Sequence, residues 1–321
     1  MQDVIAHPDG IYAVDSGYGR PQLAAIHVIV HEGRAAVVDT GNNASVPRVL
    51  AVLASLGIAP QAVDWVMLTH IHLDHAGGAG SLMCALPNAR LVVHPRGARH
   101  MADPERLWEG TAAVYGAERA FSLYGRLVPV PPERIEAVGD GQVLELAGRR
   151  FRTLHTPGHA RHHICIWDDV AKAFFTGDTF GLSYRELDVD GRAFVYPTTT
   201  PTQFDPDAMH ASIERMLSFG PQAMYLTHYS RVTDVPRLTA DLHRLIDTQV
   251  AVARAARGDG VARHVEILAG LEQIAREEAA RQGWTLPESE MLEVLRDDLE
   301  LNAQGLGVWL DSLRVPEPET V

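Results

Sequence analysis

The run His70-Ile71-His72-Leu73-Asp74-His75 places four metal-competent side chains within six residues, directly after the apolar segment 65–68. Packing alone does not explain such a density of imidazole and carboxylate. Metal ligands must cluster yet fan out in different directions. A loop at the end of a buried strand permits this, whereas successive side chains of a regular strand point to opposite faces. Gly77 and Gly78 follow, where backbone freedom lets the chain leave a crowded site. The chain carries 16 histidines and only two cysteines, Cys84 and Cys165. A metal here therefore relies on imidazole and carboxylate, because two thiols cannot make a thiolate cage. Both cysteines have apolar neighbours and are expected to be buried free thiols.

Three later stretches repeat the same design, a ligand-type residue in a turn after a short apolar run. They are Thr156-Pro157-Gly158-His159, Thr176-Gly177-Asp178-Thr179 and Leu226-Thr227-His228-Tyr229. Thr69, Thr227 and Asp39 are candidates to order these loops, since ligating imidazoles need acceptors for their second ring nitrogen. His155, His162 and His163 lie near His159 and are read as local structural residues. The other histidines are read as non-ligands.

The periodicity predicts strands over 11–14, 23–30, 35–39, 65–68 and 90–94, with a hairpin at Glu32-Gly33. Further strands are expected over 143–146, 151–154, 163–167, 173–176 and 223–226. Helices are expected over 47–56, 80–86 and 205–219, and a helical insertion with loops over 97–133, carrying Trp108, Tyr115, Phe121 and Tyr124, is expected to form a wall of the site. From Pro236 the pattern turns wholly helical: 236–256, 261–282 and 289–301, the last broken by Asn302-Ala303-Gln304-Gly305. Strands mixed with helices in this order give sheets covered by helices. The expected division is a metal-binding domain over 1–235 and a helical extension over 236–321.

The ordered set HxHxDH, later His, Gly-Asp and final His resembles the metallo-β-lactamase superfamily. Together with VDTG at 38–41, TPGHA at 156–160, TGDT at 176–179 and LTHYS at 226–230, it is most similar to the glyoxalase-II-like branch. The resemblance covers residues 10–230. It implies an α+β fold, a four-layer αββα sandwich, here with a C-terminal helical extension. It further implies two divalent metal ions per chain, zinc first, with iron or manganese as alternatives. His70, His72 and His159 would hold one. Asp74, His75 and His228 would hold the other, and Asp178 would bridge them. Asp39 would support from behind.

The implied activity is attack by a metal-bound hydroxide on a small ester, thioester or lactone. Such water has its pKa lowered to about 7. Asp74 would orient the nucleophile or carry its proton. Tyr184, six residues after Asp178, would hydrogen-bond the oxyanion or leaving group, as in lactonases of the superfamily. Tyr229, Phe180, Tyr196 and Trp108 are expected to line an apolar pocket. Glyoxalase II cleaves the thioester of hydroxyacyl-glutathione. The run GDTFGLSYRELD departs from that pattern, so the expected substrate is a related ester, thioester or lactone. Two other readings use the same motif: a mononuclear iron persulfide dioxygenase on His70, His159 and Asp178, and a non-catalytic metal or ligand sensor.

A formal charge of −13 argues against a nucleic-acid surface, which needs clustered Lys and Arg. It leaves an anionic substrate open, because a metal site reverses the field locally. No signal-peptide pattern or membrane-length apolar run is evident, so a cytoplasmic protein with a small-molecule substrate is expected. A homodimer through the C-terminal helices is left open.

Overall fold

The computed structural model describes residues 4–199 and 202–314. Seven strands form the first sheet in sequence order: β1 (Val4–Ala6), β2 (Ile11–Asp15), β3 (Ala25–His31), β4 (Arg34–Val38), β5 (Val63–Met67), β6 (Arg90–Val93) and β7 (Ile135–Ala137). The second has six: β8 (Val143–Leu146), β9 (Arg149–His155), β10 (Ile164–Asp168), β11 (Ala173–Gly177), β12 (Ala223–Leu226) and β13 (Ser230–Val232). Strands β1 to β4 pair antiparallel and β4 to β7 pair parallel. Parallel neighbours need crossovers, and helices supply them. These are α1 (Val46–Ser55), α2 (Leu73–Ala76), α3 (Ala79–Ala85), α4 (Pro95–Ala102), α5 (Glu105–Tyr115) and α6 (Ala117–Tyr124). In the second sheet only β11 and β12 are parallel, and α7 (Pro206–Leu217) connects them.

Three buried clusters show the layering. Val38, Met67, Ile166 and Phe175 fill the space between the sheets. Val37, Val49, Val66 and Leu82 join the first sheet to its covering helices. Phe174, Met209, Leu242 and Leu295 join the second sheet to α7 and three long C-terminal helices. The latter are α8 (Val235–Ala255), α9 (Gly260–Gln282) and α10 (Glu288–Ser312). The expected αββα sandwich is therefore present, with the final helices sharing the outer core of the second sheet.

Several local expectations are revised. The last helix is not broken at 302–305 but runs through to Ser312. Gly305 is buried there, where a small residue packs against neighbours instead of ending the helix. Strands β1, β7 and β13 were not anticipated. Each is three residues long, too short to show a period. Cys165 is buried, but Cys84 is exposed, since it faces away from the core side of α3.

Candidate metal centre

The site lies at one end of the two sheets, where β4, β5, β9, β11 and β12 deliver their following loops. Backbone bonds hold the sheets together there. Ile164 N donates to Thr69 O at 2.7 Å, and Ala25 N donates to Thr227 O at 2.8 Å.

Asp39, one residue beyond β4, organises the loops. It is 1% exposed and adopts φ +58°, a left-handed conformation that Asp tolerates better than most residues. Its Oδ1 accepts from Thr69 N at 2.8 Å and from Thr69 Oγ1 at 3.0 Å. Its Oδ2 accepts from Thr227 Oγ1 and from His75 Nδ1, each at 2.8 Å. One carboxylate thus ties the ends of three strands and turns the other nitrogen of His75 inward.

The predicted ligands converge in two groups. The ring nitrogens of His70, His72 and His159 lie within 4.8 Å of one another, and so do the ligand atoms of Asp74, His75 and His228. His72 Nδ1 stands 2.9 Å from His70 Nε2 and 3.1 Å from His159 Nε2. In the second group, Asp74 Oδ2 is 3.4 Å from His75 Nε2 and 3.3 Å from His228 Nε2. Asp178 stands between the two. Its Oδ2 is 3.4 Å from His159 Nε2, while its Oδ1 is 3.3 Å from His75 Nε2 and 3.7 Å from His228 Nε2.

Second hydrogen bonds orient the rings. His228 Nδ1 donates to Leu23 O at 2.7 Å, which leaves Nε2 for the centre. His159 Nδ1 pairs with Thr198 Oγ1 at 3.0 Å. His163 acts from behind: its Nε2 accepts from Asp178 N at 3.2 Å, and its Nδ1 meets Thr156 Oγ1 at 3.0 Å. The turn carrying Asp178 depends on Gly177. Its φ is +48°, and a Cβ there would lie 2.5 Å from His163 Nε2 and 2.6 Å from Thr69 Oγ1. The expected structural role of His163 is therefore specific, and its purpose is to place Asp178.

Electrostatics mark the same place. Burial and then the neighbouring imidazoles hold His70 well below the usual histidine value, and burial and then His159 do so for His72. For His75, burial opposes charge, but Asp178, Asp74 and Asp39 raise it well above that value. Burial likewise opposes charge at His228, and Asp178 and Asp74 lift it to about 9. Asp178 is held well below the ordinary carboxylate range: burial works against ionisation, and His75 and His159 overcome it. Three carboxylates thus draw positive charge onto imidazoles that stay neutral when they bind a cation. Meanwhile His75 Nε2 and Asp178 Oδ1 are buried without a hydrogen-bond partner. Buried polar atoms are ordinarily satisfied. A metal ion meets both needs, so the donor set fits.

A cavity of about 430 Å³ opens on the centre. Asp74, Asp178 and His228 form its floor, and Tyr18, Tyr115 and Tyr184 give it aromatic wall. The Tyr184 hydroxyl donates to Asp298 Oδ2 of α10 at 2.9 Å, with the Arg20 guanidinium 4.4 Å above its ring. Burial lifts the Asp298 carboxyl to about 6. The other expected wall residues do not line this cavity. Phe180, Tyr196 and Tyr229 are buried in core clusters, and Trp108 packs on Phe121 of α6. Tyr115 comes from the aromatic insertion expected to wall the site, whereas Tyr18 is a single aromatic in an irregular stretch far from any ligand and carries no such signal. The α10 carboxylates went unnoticed because a charged helix face ordinarily meets solvent.

Two histidine-rich groups sharing an aspartate, at the open end of two packed sheets, define a metal-binding αββα protein. The family model of the metallo-beta-lactamase superfamily matches residues 19–228, and the chain belongs to that superfamily. A metallo-beta-lactamase fold-containing protein of Sulfurisphaera tokodaii is 26% identical over 68% of this chain and 78% of its own length. A hydroxyacylglutathione hydrolase of Acidiphilium cryptum is 28% identical over 72% of this chain and 74% of its own. The solved structure of an archaeal superfamily protein from Sulfolobus tokodaii shares the fold, with TM-score 0.64 and 22% identity over 94% of this chain and 99% of that one. Among the described residues, no helix is long and apolar enough to cross a membrane.

Proposed function

We propose that this chain, a hydrolase of the metallo-beta-lactamase superfamily, is a dinuclear enzyme that cleaves a small ester, thioester or lactone. The observation that carries the reading is Asp178, whose two oxygens face different ligand groups, one of them buried with no other partner. His70, His72 and His159 would hold one ion, Asp74, His75 and His228 the other, with zinc the first candidate for both. When bound, such ions supply Lewis acidity and lower the pKa of water to about 7.

The chain's own residues do the rest. Asp74 stands on the cavity floor, where its carboxylate accepts a proton from the attacking water. His75 and His228 hold it there. Tyr18 and Tyr115 confine the acyl portion. Tyr184 directs its proton to Asp298 while that carboxylate is ionised. Protonation of Asp298, near pH 6, reverses the bond and frees the phenol hydrogen for the leaving group. The helices α8 to α10 serve in this reading as an extension that closes the cavity, since α10 supplies Asp298.

The hydroxyacylglutathione hydrolase relative favours a thioester or ester over other substrates. The intact second group of Asp74, His75 and His228 favours hydrolysis over a one-iron dioxygenase, which needs only the first histidines and Asp178. A panel of acyl thioesters, aryl esters and lactones, assayed with zinc-loaded protein, tests the proposal. Turnover without oxygen consumption supports it. Oxygen uptake with a persulfide, or no hydrolysis of any panel member, contradicts it.

A further inference from the structure

Beside the metal centre lies a second cleft of about 530 Å³, and its lining is basic. Arg96 and Arg99 reach it from α4, and Arg161 from the loop two residues beyond His159. His100, His162 and Gln203 complete the wall. Those last three also line an intervening cavity of about 320 Å³, which continues to His72, Asp74 and Asp178 and has Arg106 of α5 on its side. A continuous path therefore runs from the metal ligands to four guanidinium groups. Gln203 Oε1 accepts from Arg161 N at 2.8 Å, so this part of the path is pinned.

The four arginines are grouped along one connected path. The chain has 41 acidic against 28 basic residues, and several arginines elsewhere are paired with carboxylates: Arg90 with Glu136, Arg215 with Asp140, Arg263 with Asp311. Among the described residues, none of Arg96, Arg99, Arg106 and Arg161 is paired with a carboxylate. The nearby Asp103 is turned to Glu105 N, and Arg99 Nε donates to His100 Nε2 at 3.2 Å. Their field is felt locally. His100 is lowered by burial and then by Arg99 and Arg106, and His94 to about 4 by burial, His155 and Arg96. The first cavity carries an acidic surplus, since α10 presents Glu293, Asp297, Asp298 and Glu300 to it, against Arg20 and Arg119. The site is polarised, cationic at the α4 end and anionic at the α10 end.

We propose that the substrate is an acyl ester or thioester whose leaving arm ends in oxyanions of two or more negative charges, seated on Arg96, Arg99, Arg106 and Arg161. The inference rests on the hydrolytic reading above. Guanidinium forks match phosphate or carboxylate oxygens in pairs, and four of them suit more than one charge. In the reaction, water oxygen bonds to the acyl carbon and the bond from that carbon to sulfur or oxygen breaks. The electron pair leaves with the charged arm, which takes up a proton as thiol or alcohol, and the acid product gives one up.

The test compares one acyl group on three thiols, coenzyme A for phosphate, glutathione for carboxylate and N-acetylcysteamine for no charge, in wild type and in the Arg99→Ala/Arg161→Ala variant. We expect KM for one charged thioester to rise about tenfold or more in the variant and with added salt, with the neutral thioester unchanged. Calorimetry with desulfo-coenzyme A and S-methylglutathione gives a readout without turnover, and the favoured arm loses affinity by a similar factor. Which arm responds identifies the oxyanion. Equal effects on charged and neutral thioesters, or none, together with no binding of either analogue, overturn the inference and leave the hydrolytic reading standing. If wild type hydrolyses no ester or thioester, that reading fails, and the calorimetry still decides whether the cleft binds anions.

Discussion

At the scale of single residues, Asp178 and Asp39 carry different burdens. Asp178 faces both ligand groups with separate oxygens. Asp178→Asn keeps the shape but replaces one anionic oxygen by an amide. We expect kcat/KM to fall by about 10³ or more and metal content to drop, with the fold retained by circular dichroism. Asp39 lies behind His75 and accepts from four donors. An amide there points a donor at donors. Asp39→Asn should weaken metal binding by about 10- to 100-fold, measured by competition with a chelator, and should spare KM. Tyr184→Phe keeps the ring under Arg20 and removes only the hydroxyl. A loss of kcat without loss of metal is the expected result; unchanged kcat would reduce Tyr184 to cavity wall. The ligand residues were legible in the sequence because coordination demands particular side chains at strand ends. Tyr18 and the arginine cleft were not, because binding surfaces are assembled from scattered residues of ordinary type.

At the scale of elements, α10 shows what local pattern cannot say. Asn302 resembles a helix-ending signal, yet it lies inside the helix and is 1% exposed. Its Oδ1 accepts from Thr199 N at 2.7 Å, and its Nδ2 donates to Pro197 O at 2.8 Å. Between those two residues lies Thr198, whose hydroxyl holds His159. The last helix thus steadies a residue of the first ligand group through one side chain. Asn302→Ala leaves buried backbone groups unpaired, at about 1–3 kcal/mol each. A lowered Tm should accompany weaker metal binding; a lowered Tm alone would confine Asn302 to packing. The sheets were readable from alternating and continuous apolar runs. The three-residue strands were not, since only pairing with a neighbour defines them.

At the scale of the whole molecule, stability should depend on pH and on metal. His27 is buried between the sheets against Phe175 and Tyr225, and burial and then His7 lower it to about 3. A histidine lowered in the folded state favours folding fully above its unfolded value near 6.5. That contribution is lost as pH falls from there toward 3, because the unfolded chain takes up the proton first. His7 is lowered to about 4 by burial and then Arg231, and acts in the same direction. Denaturant midpoints should therefore decline from pH 6.5 downward, and His27→Gln should flatten part of that slope. An unchanged slope would place the acid sensitivity elsewhere. Metal removal should lower Tm as well, since the ligands come from four separate strand ends and the ion joins them.

The central claim is that two cations sit side by side, shared by Asp178. Elemental analysis of protein purified without added metal, then titrated with zinc and dialysed, measures it most directly. Two equivalents per chain are predicted, falling to one or fewer in Asp178→Asn. Retention of a single equivalent by the wild type after saturation would contradict the account.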